Sequence, residues 1–94
     1  MPVFAVTYIY AATEDALNEI RPLHRQWLAG LLETGQLLAS GPMFDNPEAL
    51  LIFSFDSASE LAKLLDNDPF DIAGFIGSRS IQQWNPVFGP FSST

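Results

Sequence analysis

The chain has 94 residues, the size of one domain, and 48% of them are hydrophobic, which is enough for a buried core. Four lysine and arginine residues against eleven aspartate and glutamate residues give a net charge of −7. This acidic balance excludes nucleic acid and anionic membranes as expected partners, because both bind clustered positive charge.

The residue types that are missing exclude further classes of protein. The sequence has no cysteine and one histidine, which rules out disulfides, cysteine–zinc sites and sites built from several histidines. No basic leader segment is present, and no apolar run approaches the ~20 residues that span a bilayer. We therefore expect a cytoplasmic protein with no membrane partner, with residues 1–94 forming a single domain.

The first half of the chain predicts a strand followed by a helix. Residues 3–10 are apolar except for Thr7 and rich in β-branched and aromatic side chains, as in a strand buried on both faces. Residues 11–19 predict a turn and a short helical approach, and Pro22 suits the first turn of a new helix. Gly35 is a natural stop for that helix. Helical spacing predicts one apolar stripe, formed by Ile20, Leu23, Trp27 and Leu31.

The second half predicts a hairpin and the second of two crossovers. The order of elements becomes β-α-β-β-α-β, which is typical of a ferredoxin-like α+β sandwich with a four-stranded antiparallel sheet and helices on one face. The predicted elements are strands at 36–43, 49–55 and 78–84, a helix opened by the capping box at 57–60, and a short helical turn at 68–73.

The sheet has an open face that needs a cover. Two helices cover one face only, yet the strands at 3–10 and 49–55 are apolar on both faces. A second copy of the same sheet is the simplest cover, since a twofold dimer is the commonest assembly. The sequence therefore predicts a homodimer through the open sheet face.

His24 is the first candidate for chemistry. Its helical phase lies between Trp27 and Leu31 on one side and Leu28 on the other, so the side chain faces the sheet. One interpretation is a core histidine bonded to a backbone carbonyl. The other is a general acid or base, because imidazole titrates near neutral pH. The second interpretation needs an acceptor that orients the ring.

Asp68 is the best candidate for that acceptor. Because Pro69 follows it, the local sequence predicts that Asp68 is the N-cap of a short helical turn. The two roles are compatible, since one carboxylate oxygen can accept from the backbone and the other from histidine. The acidic run at 66–71 lacks the glycine and the final bidentate acid of a calcium loop, so we expect no metal site.

Four other residues have both an ordinary and a functional interpretation. Arg21 is either a surface charge that answers Glu19 or Asp15, or an anchor for an anionic substrate. Trp27 and Phe70 are either core residues or walls of a pocket near His24. Ser40 lies in no nucleophile-elbow pattern, and only His24 could activate it.

The candidate residues together resemble those of the YciI-like (YCII-related) family. The resemblance is carried by the run at 21–28, Gly35, the Ser-Gly-Pro run at 40–42 and the Asp-Pro-Phe run at 68–70, and it extends from the first strand to about Phe88. It implies the fold of the dimeric α/β-barrel superfamily. It also implies that His24 and Asp68 form the pair of that family's active-site cleft. The cleft would be shaped and lined by Arg21, Ser40, Gly41, Pro42 and Phe70.

These observations lead to three functional hypotheses. The first is an enzyme without a cofactor, in which His24 is oriented by Asp68 and performs proton transfer in an isomerisation or elimination on a small, aromatic-derived molecule. The second is a non-catalytic small-molecule-binding or accessory dimer in which the same pair is a structural hydrogen bond. The third is a purely structural dimer that binds no metabolite.

Overall fold

A computed structural model describes residues 1–92. The chain forms four strands and three helices in the order β1 (Val3–Tyr10), α1 (Glu14–Glu33), β2 (Leu37–Pro42), β3 (Glu48–Ser54), α2 (Ala58–Leu65), α3 (Pro69–Ile72) and β4 (Ile76–Trp84). No helix within this part of the chain is long and apolar enough to cross a bilayer.

The first helix begins earlier than the sequence predicts. Thr13 caps α1, and its hydroxyl accepts the backbone N–H of Ala16 at 3.2 Å. Pro22 therefore lies inside the helix rather than in its first turn, where it removes one backbone hydrogen bond. The Thr13 cap and the burial of Leu17 one turn further on account for the extension. The prediction of a helix starting near Pro22 was wrong.

The buried face of α1 also differs in part from the predicted stripe. Leu17, His24 and Leu31 are buried at seven-residue steps, whereas Leu23 is 55% exposed. Helical periodicity explains the result, because seven residues complete almost two turns and return to the same face. The prediction that His24 faces the sheet is confirmed, and the inclusion of Leu23 in the stripe was wrong.

The sheet has the predicted topology. Its four strands are ordered β2-β3-β1-β4, and all neighbours are antiparallel. With the helices packed on one face, this is the ferredoxin-like α+β fold that the sequence predicts. β1 is a central strand that pairs with β3 on one side and β4 on the other, and β4 is the edge strand that the sequence predicts.

The core lies between the sheet and the helices. Side chains alternate along β1, so that Phe4, Val6 and Tyr8 point into this layer. The other face of the sheet carries apolar side chains that nothing within residues 1–92 covers completely, among them Ile9, Leu50 and Trp84. The remaining members of the core come from α1, β2, β3 and α2: Leu31, Leu37, Ala49, Leu51, Phe53, Leu61 and Leu65.

Candidate active site

Asp68 lies between α2 and α3, where the short helix α3 begins. Its carboxylate Oδ1 accepts the backbone N–H of Phe70 at 2.9 Å, and Pro69 occupies the first helical position. This is the cap that the sequence predicts. The residue is nevertheless completely buried, so its charge cannot be stabilised by water. A buried carboxylate needs hydrogen-bond donors on every side.

Three donors from three elements satisfy the Asp68 carboxylate. Besides the Phe70 N–H, Oδ1 accepts from His24 Nδ1 of α1 at 2.8 Å, and Oδ2 accepts from the Tyr8 hydroxyl of β1 at 2.9 Å. The contact predicted between Asp68 and His24 is confirmed. The expected division of the oxygens was wrong, because Oδ1 serves both the cap and the histidine while Oδ2 bonds to a phenol.

The imidazole of His24 is fixed in position by these contacts and by stacking. The ring is parallel to that of Phe70 within 20°, with 4.1 Å between the ring centroids. An ionised carboxylate only accepts hydrogen bonds, so Nδ1 must carry the proton that is donated to Asp68. The neutral ring then has its free lone pair on Nε2. That atom has no hydrogen-bond partner within residues 1–92, and it is not sealed from solvent.

His24 opens onto a cleft of about 850 Å³. α1 forms one wall, and the end of β1 and the short helix α3 contribute Tyr10 and Phe70. The opposite wall is the loop of residues 43–47 that joins β2 to β3. This loop is exposed throughout, and Phe44 near its tip has no contact that shields it. The cleft therefore combines a floor of buried side chains with a wall of exposed loop.

Most of the predicted site residues lie together at this cleft. Trp27 is the exception among the described residues: it packs against the core, with its ring centroid 6.3 Å from that of His24, and does not line the cleft. The predicted residues that line it with His24 are Arg21, Ser40, Gly41, Pro42 and Phe70, while Asp68 lies buried behind the histidine ring.

The partners of Arg21 differ from those that the sequence indicates. Its guanidinium contacts Glu14 Oε1 at 3.3 Å and also bonds to the side chain of Asn18. Glu19 and Asp15 were the expected acids. Glu14 lies seven residues before Arg21, nearly two helical turns, and so shares its face of α1. The helix start at Glu14 makes this pairing possible.

Two tyrosines belong to the site although the sequence analysis did not single them out. Burial, followed by the negative charge of Asp68, raises the pKa of both the Tyr8 and the Tyr10 hydroxyl above the usual 10.0. Tyr10 lines the cleft and packs edge-on against Phe70, with 5.6 Å between centroids. The signal in the sequence was a tyrosine among the apolar, inward-facing residues of β1. A phenol hydroxyl that is buried there usually has a hydrogen-bond partner.

The arrangement is suited to moving one proton. The chain supplies a single free imidazole nitrogen at the cleft, and the carboxylate behind it stabilises the positive charge that the ring gains when it accepts a proton. Within residues 1–92, no cluster of three or more histidine, aspartate or glutamate side chains is arranged to hold a metal ion.

Comparison with known proteins assigns the family and the fold. The family model described as "YCII-related domain" matches residues 1–85. No curated protein matches the chain significantly. Among solved structures, the chain is similar to 5-chloro-2-hydroxyhydroquinone dehydrochlorinase from Burkholderia phenoliruptrix AC1100 in complex with 2,5-dihydroxybenzoquinone, at 18% identity and a TM-score of 0.75. That alignment covers 88% of this chain and 93% of the dehydrochlorinase.

Two further structures share the fold at lower similarity. A NIPSNAP family protein from Agrobacterium tumefaciens aligns at 16% identity and a TM-score of 0.59, covering 98% of this chain and 96% of its own. A structure described as an antibiotic biosynthesis monooxygenase aligns at 14% identity and a TM-score of 0.56, covering 90% of this chain and 97% of its own.

The Tyr8 hydroxyl is expected to stabilise the fold through Asp68. In Tyr8→Phe one buried carboxylate oxygen loses its donor, so we expect the free energy of unfolding to fall by about 1.5–3 kcal/mol, as for hydrogen bonds to charged groups. Denaturant unfolding at neutral pH measures the change. Tyr10→Phe is the matched control, because no hydrogen bond of its hydroxyl is found within residues 1–92. Equal losses in both variants would contradict this account.

Both tyrosines should make the fold sensitive to alkali. Above pH 10.0 an unfolded phenol loses its proton while the folded one keeps it, so the unfolded state is favoured as the pH rises. Tyr8, which has the large shift, then lowers the free energy of unfolding by up to about 1.4 kcal/mol per pH unit, and Tyr10 acts in the same direction. Denaturant unfolding at several alkaline pH values should show that the free energy of unfolding declines less steeply with pH in Tyr8→Phe than in the wild type. Phenolate absorbance that appears well before unfolding would contradict the prediction.

Proposed function

The chain belongs to the YCII-related domain family, and we propose that it is a small-molecule enzyme that transfers protons without a cofactor. In this proposal His24 is the general acid and base, and Asp68 orients it. The observation that carries the proposal is the set of three donors on Asp68, which fixes the Nδ1–H tautomer of His24 and directs the lone pair of Nε2 to the cleft.

Proton abstraction by Nε2 would start either of two reactions. In an elimination, Nε2 removes a proton from carbon or hydroxyl, the electrons of that bond form a new double bond, and the leaving group departs with the electrons of its bond to carbon. In an isomerisation, the protonated ring returns the proton to a different carbon after the double bond has shifted. Acid–base catalysis of this kind contributes about 10²–10⁴-fold to a rate.

A hydroxylated aromatic ring is the proposed substrate class. Tyr10 and Phe70 supply aromatic walls beside His24, and the structurally similar dehydrochlorinase acts on a chlorinated hydroxyhydroquinone. Ser40, Gly41 and Pro42 would shape the opposite side. Arg21 would contact an anionic substituent, which is feasible because the acid that pairs with it, Glu14, is largely exposed and the pair is therefore weak.

The second candidate function is a binding module without catalysis. It is favoured by the depth of the pair: Asp68 is fully buried and caps α3, and only 8% of His24 is exposed. A structural hydrogen bond would have the same geometry. In this case the cleft would hold a small molecule, and Nε2 would donate to or accept from it without transferring a proton.

The two functions differ in what substitution of His24 does. We expect wild-type protein, assayed with a panel of chlorinated and hydroxylated hydroquinones, to release chloride or to shift the quinone absorbance. His24→Gln should lower kcat by about 10²–10⁴-fold, the contribution of a general base. Asp68→Asn should also lower kcat, since it removes the acceptor that sets the tautomer. Lys63→Gln, which changes an exposed residue of α2, is the control and should keep the kcat of the wild type.

The ring signals of the single histidine separate the outcomes. A panel compound that shifts the NMR signals of His24 without being turned over supports the binding module. Turnover that is unchanged in His24→Gln would refute the catalytic proposal. In Asp68→Asn, ring nitrogen signals that report the proton moving from Nδ1 toward Nε2 would support the orienting role of the carboxylate.

We further propose that two chains pair through the open face of the sheet. Ile9 of β1, Leu50 of β3 and Trp84 of β4 are partly exposed there. Burying exposed apolar side chains of a sheet face is favourable. A twofold axis brings the same face of two chains together, so one copy can cover the other. The fold shared with the dimeric α/β-barrel proteins supports this arrangement.

A charge on the open face should separate the two chains. We expect light scattering to give twice the mass of one chain for the wild type and the mass of one chain for Leu50→Asp. Leu32→Asp is the matched control, because Leu32 is similarly exposed but lies on α1, away from the open face. A monomeric wild type at micromolar concentration would overturn the dimer without touching the proposed chemistry.

A further inference from the structure

Arg79 is a basic residue that the proposed chemistry does not use. It lies on the edge strand β4, opposite Tyr8 of β1 in the strand register. Its side chain is largely covered and points to the helical layer, away from the open face. In a chain with only four lysine and arginine residues against eleven acids, a guanidinium that is largely covered calls for a structural cause.

The guanidinium of Arg79 hydrogen-bonds to one end of a short segment and forms a longer ion pair with the other end. Nη2 donates to Asp66 Oδ1 at 2.7 Å and to the backbone carbonyl of Ala62 at 3.2 Å, while Nη1 lies 3.8 Å from Asp71 Oδ2. Asp66 ends α2, and Asp71 lies in α3. The contacts therefore span the link between the two helices. A planar guanidinium carries several N–H donors and can therefore contact several acceptors at once.

The spanned segment carries two contacts of the histidine. Asp68 and Phe70 both lie between Asp66 and Asp71, and they provide the hydrogen bond and the stacked ring that hold His24. We propose that Arg79 is a positioning residue of the site, which holds segment 66–71 against the sheet and so fixes Asp68 and Phe70 relative to His24. Only the catalytic consequence of this inference depends on the proposed function.

The test measures the geometry of the pair rather than turnover. The Nδ1 proton of His24 is observed by NMR in the full chain, and its exchange with water reports how firmly Asp68 holds it. In Arg79→Gln we expect exchange to accelerate about tenfold, as local opening becomes easier when charged hydrogen bonds are lost. Arg79→Lys keeps the charge but loses the planar guanidinium. Its exchange rate should therefore lie between those of Arg79→Gln and the wild type. Lys63→Gln should exchange like the wild type.

A second variant covers the case in which Arg79→Gln does not fold. The double substitution Asp66→Asn and Asp71→Asn removes both carboxylate partners and leaves the core untouched, and it should also accelerate exchange. A folded Arg79→Gln, or a folded double variant, with the exchange rate and ring signals of the wild type would overturn the inference. Loss of turnover in His24→Gln is measured separately, so failure of the positioning role and failure of the proposed chemistry are distinguishable.

Discussion

The buried carboxylate of Asp68 is the constraint on which the arrangement of the site depends. A charge removed from water requires hydrogen bonds on all sides, and here the donors come from the central strand, the long helix and the turn that Asp68 itself caps. None of these elements can move away without leaving the charge unsatisfied. One side chain therefore joins the sheet to α1 and α3 and, through the same bonds, holds the histidine ring in place.

In this arrangement the hydrogen bonds that stabilise the buried carboxylate also hold His24 in position. Tyr8 is a core residue, and its hydroxyl also donates a hydrogen bond to the Asp68 carboxylate. Phe70 is a buried residue whose ring stacks on the imidazole and also packs edge-on against Tyr10. Segment 66–71 is in turn joined to β4 by Arg79. The site is thus an extension of the packed interior, and the cleft is the only part of it that meets solvent.

The sequence predicts the elements and the polar pair, but not the partners that complete the pair. The apolar runs at 3–10 and 49–55 predict the strands because short, continuous apolar runs with β-branched and aromatic residues are local signals. Helical phase orients His24, and the Asp-Pro dipeptide identifies the cap. The bond between Tyr8 and Asp68 connects residues 60 positions apart, which no local pattern records. Pro22 misled the prediction of the helix start because tertiary burial of Leu17 outweighs the local preference of proline.

The contrast between the two sides of the cleft has a consequence for how such a site can change. His24 is joined through Asp68 to Tyr8 of the central strand, so substitutions there disturb folding as well as the cleft. The opposite wall is the exposed loop of residues 43–47, whose side chains support no part of the core. Loops of this kind tolerate replacement and changes in length. One scaffold could therefore keep the buried pair of His24 and Asp68 constant while the loop diversifies the molecules that the cleft admits.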